Sequence, residues 1–355
     1  MSYQCVWTSQ DGGSVPAPVT VSAALDPTAT PVGARSSHGL SVYNGRLLLV
    51  GGEKVARTPI DDGTTVWAKD LSDGEAGSAA PWVALENSNP DIAPAPRVAH
   101  AQVVVGDALY LFGGRQGITM EEKPLNDLWK FNLETNAWTD LTAAMTGAVP
   151  ESRSFHKMLA IGAKLYVFAG CLPTGRSASL HCFDTETNAW TLLGETPEGL
   201  PGRGGPGFVA SSDGKVLFSV GGFCGQESNA VWKFDLASNA WQEVLAEGND
   251  ILRPFSVSCG ATVGSYLVFF GGEVDPSNKG HEGAGGFTDA VVVLDGLTGE
   301  VVLDGSDVVP GPLSRGWADC AAWGDDKMVV YGGLTGSDDA PLRLEDTWIL
   351  TYARL

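Results

Sequence analysis

The chain has 355 residues, 43% of them hydrophobic, and a formal net charge of −20. Such a charge argues against nucleic acid or an anionic membrane surface as a partner, and no apolar run approaches the roughly 20 residues that span a bilayer. The start, MSYQCVWTSQ, has no basic and apolar segments of the secretory kind, and the six cysteines (5, 171, 182, 224, 259 and 320) include no CxxC pair, so a cytoplasmic protein with reduced thiols is expected.

Residues 3–10, YQCVWTSQ, read as a lone strand carrying Trp7. From there the chain repeats itself. Strand-like segments ending in a glycine pair or its near equivalent occur at 47–52 (LLLVGG), 109–114 (LYLFGG), 165–170 (LYVFAG), 216–222 (VLFSVGG), 267–272 (LVFFGG) and 328–333 (MVVYGG). Downstream come LWKFNLETNAW (128–138), LHCFDTETNAW (180–190) and VWKFDLASNAW (231–241), each a third strand followed by a Trp-marked fourth. Four strands per repeat and a period of about 50 to 60 residues resemble a kelch-type propeller blade. The last repeat ends at its third strand, DTWILTYARL (346–355), and YQCVWTSQ supplies the missing fourth, with Trp7 in the place of Trp138 or Trp190. The expected architecture is all-β: a six-bladed kelch-type β-propeller forming one domain over residues 1–355, its last blade completed by residues 1–10.

An arginine lies 16 to 18 residues before each glycine pair: Arg35, Arg97, Arg153, Arg203, Arg253 and Arg315. His38, His100 and His156 follow three of them at three residues' distance. Because neighbouring strands of a blade run antiparallel, the start of the first strand and the end of the second share one rim. The six arginines are therefore expected at the mouth of the central channel, where guanidinium forks suit a small anion. The other expectation is that most of them bond carbonyls or acids of neighbouring blades. GRGGPGF (202–208) and SRGWADC (314–320) lack the histidine, which opens space near Arg203 and sets Trp317 beside Arg315.

The loop after the fifth pair, GGEVDPSNKGHEGAGGF (271–287), is unusually long and rises on that same rim. Glu273, Asp275 and His281 are the two-carboxylate, one-imidazole set that suits Fe(II), Mn(II) or Zn(II). They equally suit an Asp-Pro turn in which Glu273 caps backbone amides and His281 packs on the next blade. Cys224 lies on this rim too, and is expected to be a buried structural thiol; His181 reads as blade packing, GDDK (324–327) as a hairpin turn and DGSD (304–307) as a solvated loop.

PRVAHAQVVVGDALYLFGG, FFGGEVDP…HEGAG and SRGWADCAAW resemble the nitrile-specifier, epithiospecifier and thiocyanate-forming proteins of glucosinolate breakdown. That resemblance implies a ferrous site of the form Glu-x-x-x-Asp-x-x-x-His. Here Glu273 and His281 keep the separation, but Ser277 stands at the central position and the aspartate has moved to Asp275. Either Asp275 reaches the metal through a reshaped turn, or the iron site is weakened or absent and Ser277 or water fills the gap. The resemblance also implies Arg97 as a sulfate clamp, Trp317 as a wall limiting side-chain size, and an Fe(II)-dependent, non-redox lyase or isomerase acting on a small anionic, sulfur-containing substrate. The alternative is a non-catalytic kelch module that binds a protein partner through its rim loops.

Overall fold

The computed structural model describes residues 3–9, 31–62, 65–71, 80–117, 123–305 and 311–354. Six sheets of four antiparallel strands stand in a ring, that of blade 3 extended by a short parallel strand, Thr146–Gly147. Their inner strands are Gly39–Tyr43, Ala101–Val105, Lys157–Ile161, Gly207–Ala210, Cys259–Val263 and Asp319–Trp323 (blades 1 to 6); each touches the next, and the sixth touches the first. Helix is confined among the described residues to two single 3-10 turns, Thr142–Ala144 and Gly280–Glu282. No helix is long and apolar enough to cross a membrane.

Blade 6 is made from both ends of the chain. Asp319–Trp323, Lys327–Tyr331 and Thr347–Arg354 are joined at the outer edge by Tyr3–Ser9, in a register that sets Trp7 opposite Leu350. Trp7 is buried against Phe270 of blade 5, with ring centroids 4.7 Å apart. Of the expected 1–10 segment, residues 1, 2 and 10 lie outside the described residues.

Apolar side chains collect in six clusters, one at each interface between neighbouring blades. The period-2 alternation of a strand explains this, since each sheet presents one face to the preceding blade and one to the following. Second strands are buried on both faces, as in Ala108–Gly114, hence their uninterrupted hydrophobicity.

The glycine pairs are the couplings between blades. The second residue of each pair donates its N–H to a main-chain carbonyl of the next blade: Gly52 to Arg97, Gly114 to Arg153, Gly170 to Arg203, Gly222 to Phe255, Gly272 to Arg315 and Gly333 to Arg35, at 2.7–3.0 Å. At Gly272, φ is +119°, and a Cβ would stand 2.7 Å from the Ser256 carbonyl oxygen. Only glycine meets both conditions. The first position has φ near +64°, mild enough for Ala169 to occupy it in blade 3.

Candidate functional site

Two residues after the Gly52-type carbonyl partner in each blade stands a residue in the left-handed region: Ser37, Ala99, Phe155, Gly205, Val257 and Trp317, with φ between +46° and +57°. Their backbones form a closed belt. Ala99 donates to Ser37, Phe155 to Ala99, Gly205 to Phe155, Val257 to Gly205, Trp317 to Val257 and Ser37 back to Trp317, at 2.8–3.0 Å. The strain of a β-branched residue at positive φ, Val257, persists because the belt holds it from both sides. Below the belt lies the channel, a cavity of about 380 Å³. Lys157 of blade 3 and Asp319 of the opposite blade 6 come within 4.0 Å across it.

Above the belt, on the rim where first strands start and second strands end, a second cavity of about 250 Å³ opens over blades 3 to 6. Phe155, Val257 and Trp317 form its apolar side, and Gly204 and Gly205 contribute no side chain there. Phe287 supports the Trp317 ring edge-on at 5.7 Å. Glu273, Ser277, Cys171 and Arg176 supply the polar side.

The long loop begins as a short hairpin in which Glu273 pairs with Phe287 and Asp275 with Gly286. Glu273 is buried, while Asp275 is exposed and is not among the residues lining the cavity. Ser277 reaches the cavity, but its hydroxyl donates to Asp338 of the hairpin that rises from blade 6. Lys279 bonds the same hairpin through the Asp338 carbonyl, at 2.8 Å, and the Asp339 carboxylate, at 2.9 Å. The side chain of His281 lies outside the described residues; its backbone forms the single 3-10 turn. Among the described residues no three histidine, cysteine, aspartate or glutamate side chains are gathered as a metal site.

The arginines turn away from the channel. Arg35, Arg97, Arg153, Arg203 and Arg315 are buried, and each donates from Nη1 to the first carbonyl of its own blade's pair: Gly51, Gly113, Ala169, Gly221 and Gly332, at 2.8–2.9 Å. Arg97 adds a fork to Asp127 at 2.7 and 2.8 Å, Arg315 one to Asp346 at 2.6 and 2.9 Å, and Arg35 a single bond to Asp62 at 3.1 Å. Arg97 also donates from Nε to Ala95, so four hydrogen bonds bind it to its own blade. The funnel expected of these side chains gives way to blade anchoring, because an unpaired carbonyl at the glycine bend would otherwise be buried. Arg253 is out of phase. Phe255 occupies the anchoring position of blade 5, and half-buried Arg253 pairs with Asp304 at 2.9 Å. Asp304 belongs to the strand Val301–Gly305 rather than to a solvated loop, and residues 306 and 307 lie outside the described residues.

The three phased histidines pack between blades. Carbon Cε1 of His100 and of His156 lies 2.9 Å from where a side chain at Gly51 and Gly113 would begin. Burial, then Arg97, pushes His100 down to about 3. Burial, then Arg35 and Arg153 respectively, holds His38 and His156 well below the ordinary value. His181 is buried too, bonded to the Ala148 carbonyl at 3.0 Å. GDDK forms the turn before Lys327–Tyr331, and Cys224 is half-buried, off the cavity.

Two residues beside the cavity carry no sequence signal. Glu227, bridged to Phe223, is buried with both carboxylate oxygens lacking a hydrogen bond of regular geometry. Burial pushes it up to about 7, with Glu273 adding to the rise while Ser256 and Arg176 oppose it. Arg176, in the loop after the third pair, lies exposed over the Phe223 ring at 4.6 Å. Neither falls at a repeated phase, so alignment of the repeats passes over both.

The KLHDC2/KLHL20/DRC7 Kelch-repeats domain family matches residues 37–272. A Thlaspi arvense protein named N-(sulfonatooxy)prop-2-enimidothioate sulfolyase is 28% identical over 348 residues, 91% of this chain and 90% of its own. Kelch domain-containing protein 3 of Rattus norvegicus is 26% identical over 276 residues, 71% of this chain and 64% of its own. The solved structure of YjhT covers 92% of this chain and 99% of its own with a TM-score of 0.67 at 19% identity, a likeness of fold. With the family match running from the start of blade 1 to the glycine pair of blade 5, and the ring closed by the same glycine couplings throughout, the chain belongs to the kelch-repeat family.

Proposed function

We propose that the rim cavity is the site of a specifier-like, non-redox lyase or isomerase acting on a small anionic, sulfur-containing molecule. The observation that carries this reading is the meeting of Glu273, Ser277 and Trp317 in one cavity of about 250 Å³. The sulfolyase of Thlaspi arvense, similar over 91% of the chain, adds the chemistry: its name describes loss of sulfate from a sulfonatooxy imidothioate. Phe155, Val257 and Trp317 would hold the apolar part of the substrate and exclude water, which strengthens every polar contact made inside. Trp317, fixed by the belt through its backbone and by Phe287 through its ring, would set the size of side chain admitted.

Ferrous iron belongs to this proposal as an expectation carried from the resemblance. Bound, it would act as a Lewis acid on sulfur or on the departing sulfate. Glu273 would be a ligand, with His281 from the same loop, as the resemblance implies. The third donor is not in place: Asp275 is exposed outside the cavity, and the Ser277 hydroxyl is engaged by Asp338. The donor set of the described residues is therefore incomplete, and no step is assigned to the metal.

The test is turnover of N-(sulfonatooxy)prop-2-enimidothioate, with anaerobically added Fe(II) and without it. Protein should change the product distribution from that of spontaneous decay, and Glu273→Ala should abolish the change. Products identical with and without protein, in both arms, would overturn the reading. A second reading, a protein-binding kelch module, is favoured by the similarity to Kelch domain-containing protein 3. It would gain if replacing the blade 5 and blade 6 rim hairpins abolished capture of a defined partner while the products stayed those of spontaneous decay.

A further inference from the structure

Arg176 differs from the five anchoring arginines in being exposed to the cavity rather than buried in its blade. Its side chain is exposed and lines the rim cavity, whereas Arg35, Arg97 and Arg315 are buried and paired with aspartates. Among the described residues no carboxylate lies within salt-bridge distance of Arg176; its neighbours are the Phe223 ring beneath it, the Cys171 thiol beside it and, farther off, the buried Glu227 carboxyl, on which it acts through its charge. Its backbone is held by a bridge to Cys171. Gly204 makes the room: a Cβ there would stand 2.9 Å from the Cys171 sulfur and 3.8 Å from the Arg176 Nε.

A guanidinium stacked on an aromatic ring spends its face and keeps its edge. The in-plane N–H groups remain available as a bidentate fork for two oxygens of one acidic group. Stacking also removes part of the side-chain entropy that an anion would otherwise have to freeze out. Across the cavity stand Phe155, Val257 and Trp317, which offer apolar surface and no charge. Glu273, the acid in the lining, disfavours a second negative group on its side.

We propose that Arg176 is the anion-binding residue of the rim cavity and that its ligands are small amphiphiles, with an oxyanion at one end and an apolar body lying against Trp317. The shared chemistry is a planar or tetrahedral oxyanion presenting two oxygens, as in a sulfate ester or a carboxylate. The inference rests on the rim cavity being a small-molecule site; it does not depend on a lyase reaction there.

Binding of three probes of equal chain length, pentyl sulfate, hexanoate and uncharged 1-pentanol, should be measured by titration NMR at low and moderate salt. Pentyl sulfate or hexanoate should bind more tightly than 1-pentanol, and whichever is tighter identifies the oxyanion source. Arg176→Ala should weaken that probe by about tenfold or more, the worth of a charge-assisted fork, and Arg176→Lys by less. Affinity for 1-pentanol should be unchanged in both variants. Arg46→Ala, which removes an arginine paired with Asp70 outside the cavity, should have no effect. Oxyanion probes that bind no better than 1-pentanol, or that bind Arg176→Ala as well as the unaltered chain, would overturn the proposal. Absence of turnover alongside Arg176-dependent binding would count against the lyase reading alone. Turnover indifferent to Arg176 would count against this inference alone.

Discussion

At the scale of single residues, one phase of the repeat serves two energetic situations. Arg97 is buried with a matching carboxylate, Asp127, and Arg203 is buried with none. Nη2 of Arg203 has no hydrogen-bond partner, and burial lowers its affinity for its proton. Removing Arg97 strands a partly buried acid paired at salt-bridge distance, whereas removing Arg203 breaks no such pair and relieves a buried charge that only the more distant Glu247 offsets. Arg97→Met is therefore expected to cost about 2–4 kcal/mol, and Arg203→Met less than about 1.5 kcal/mol, in urea unfolding at pH 7. The reverse order would show that Arg203 has a counter-charge at salt-bridge distance in solution. The repeat made the phase of these arginines legible but not their direction. Whether a guanidinium faces a channel or a carbonyl depends on which buried acceptors the glycine bends leave behind. Arg253 shows the limit of counting: Phe255 stands 16 residues before Gly271, as Arg35 does before Gly51, and so takes the anchoring place.

At the scale of elements, the blade 5 loop owes its position to the neighbouring hairpin Leu334–Ser337 and Ala340–Arg343. Ser277, where the resemblance places an aspartate, joins them together with Lys279. Restoring that aspartate would set two carboxylates against each other. Ser277→Asp alone is expected to raise amide exchange in residues 276–283 several-fold, and Asp338→Asn added to it should reverse most of the rise. Unchanged exchange in Ser277→Asp would show that the contact does not hold the loop. The spacing of Glu273 and His281 was readable in the chain. That Asp275 lies outside the cavity was not, because a bulge between Glu273 and Asp275 breaks simple alternation.

At the scale of the molecule, neutral imidazoles sit buried between blades. His38 and His156 are held well below the ordinary value, His100 is pushed down to about 3 and His181 to about 4, burial being the largest cause in each. A lowered folded-state value means that the unfolded chain binds more protons below about pH 6.5. Stability should thus be fully present above pH 6.5 and fall as the pH drops towards 4, with an uptake of roughly three to four protons on unfolding. Glu227, raised to about 7, acts in the opposite sense over its own range. Urea midpoints measured from pH 8 to pH 4 would check this; stability that stays flat below pH 6.5 would mean that the imidazoles are already charged in the folded ring.

The repeat period, the glycine pairs and the Trp-marked outer strands determined the blade count and the pairing of Tyr3–Ser9 with Thr347–Arg354, because both are written in local periodicity. The cavity is not local. Phe155, Arg176, Gly204, Glu273 and Trp317 meet only when four blades stand side by side on a closed belt. The repeat phase puts Phe155, Gly204, Glu273 and Trp317 on one rim, but carries no trace of which side chains share a cavity or that Arg176 joins them. The buried carbonyl at each glycine bend decided that Arg35, Arg97, Arg153, Arg203 and Arg315 anchor their own blades, and the meeting of four blades decided that exposed Arg176 faces the cavity.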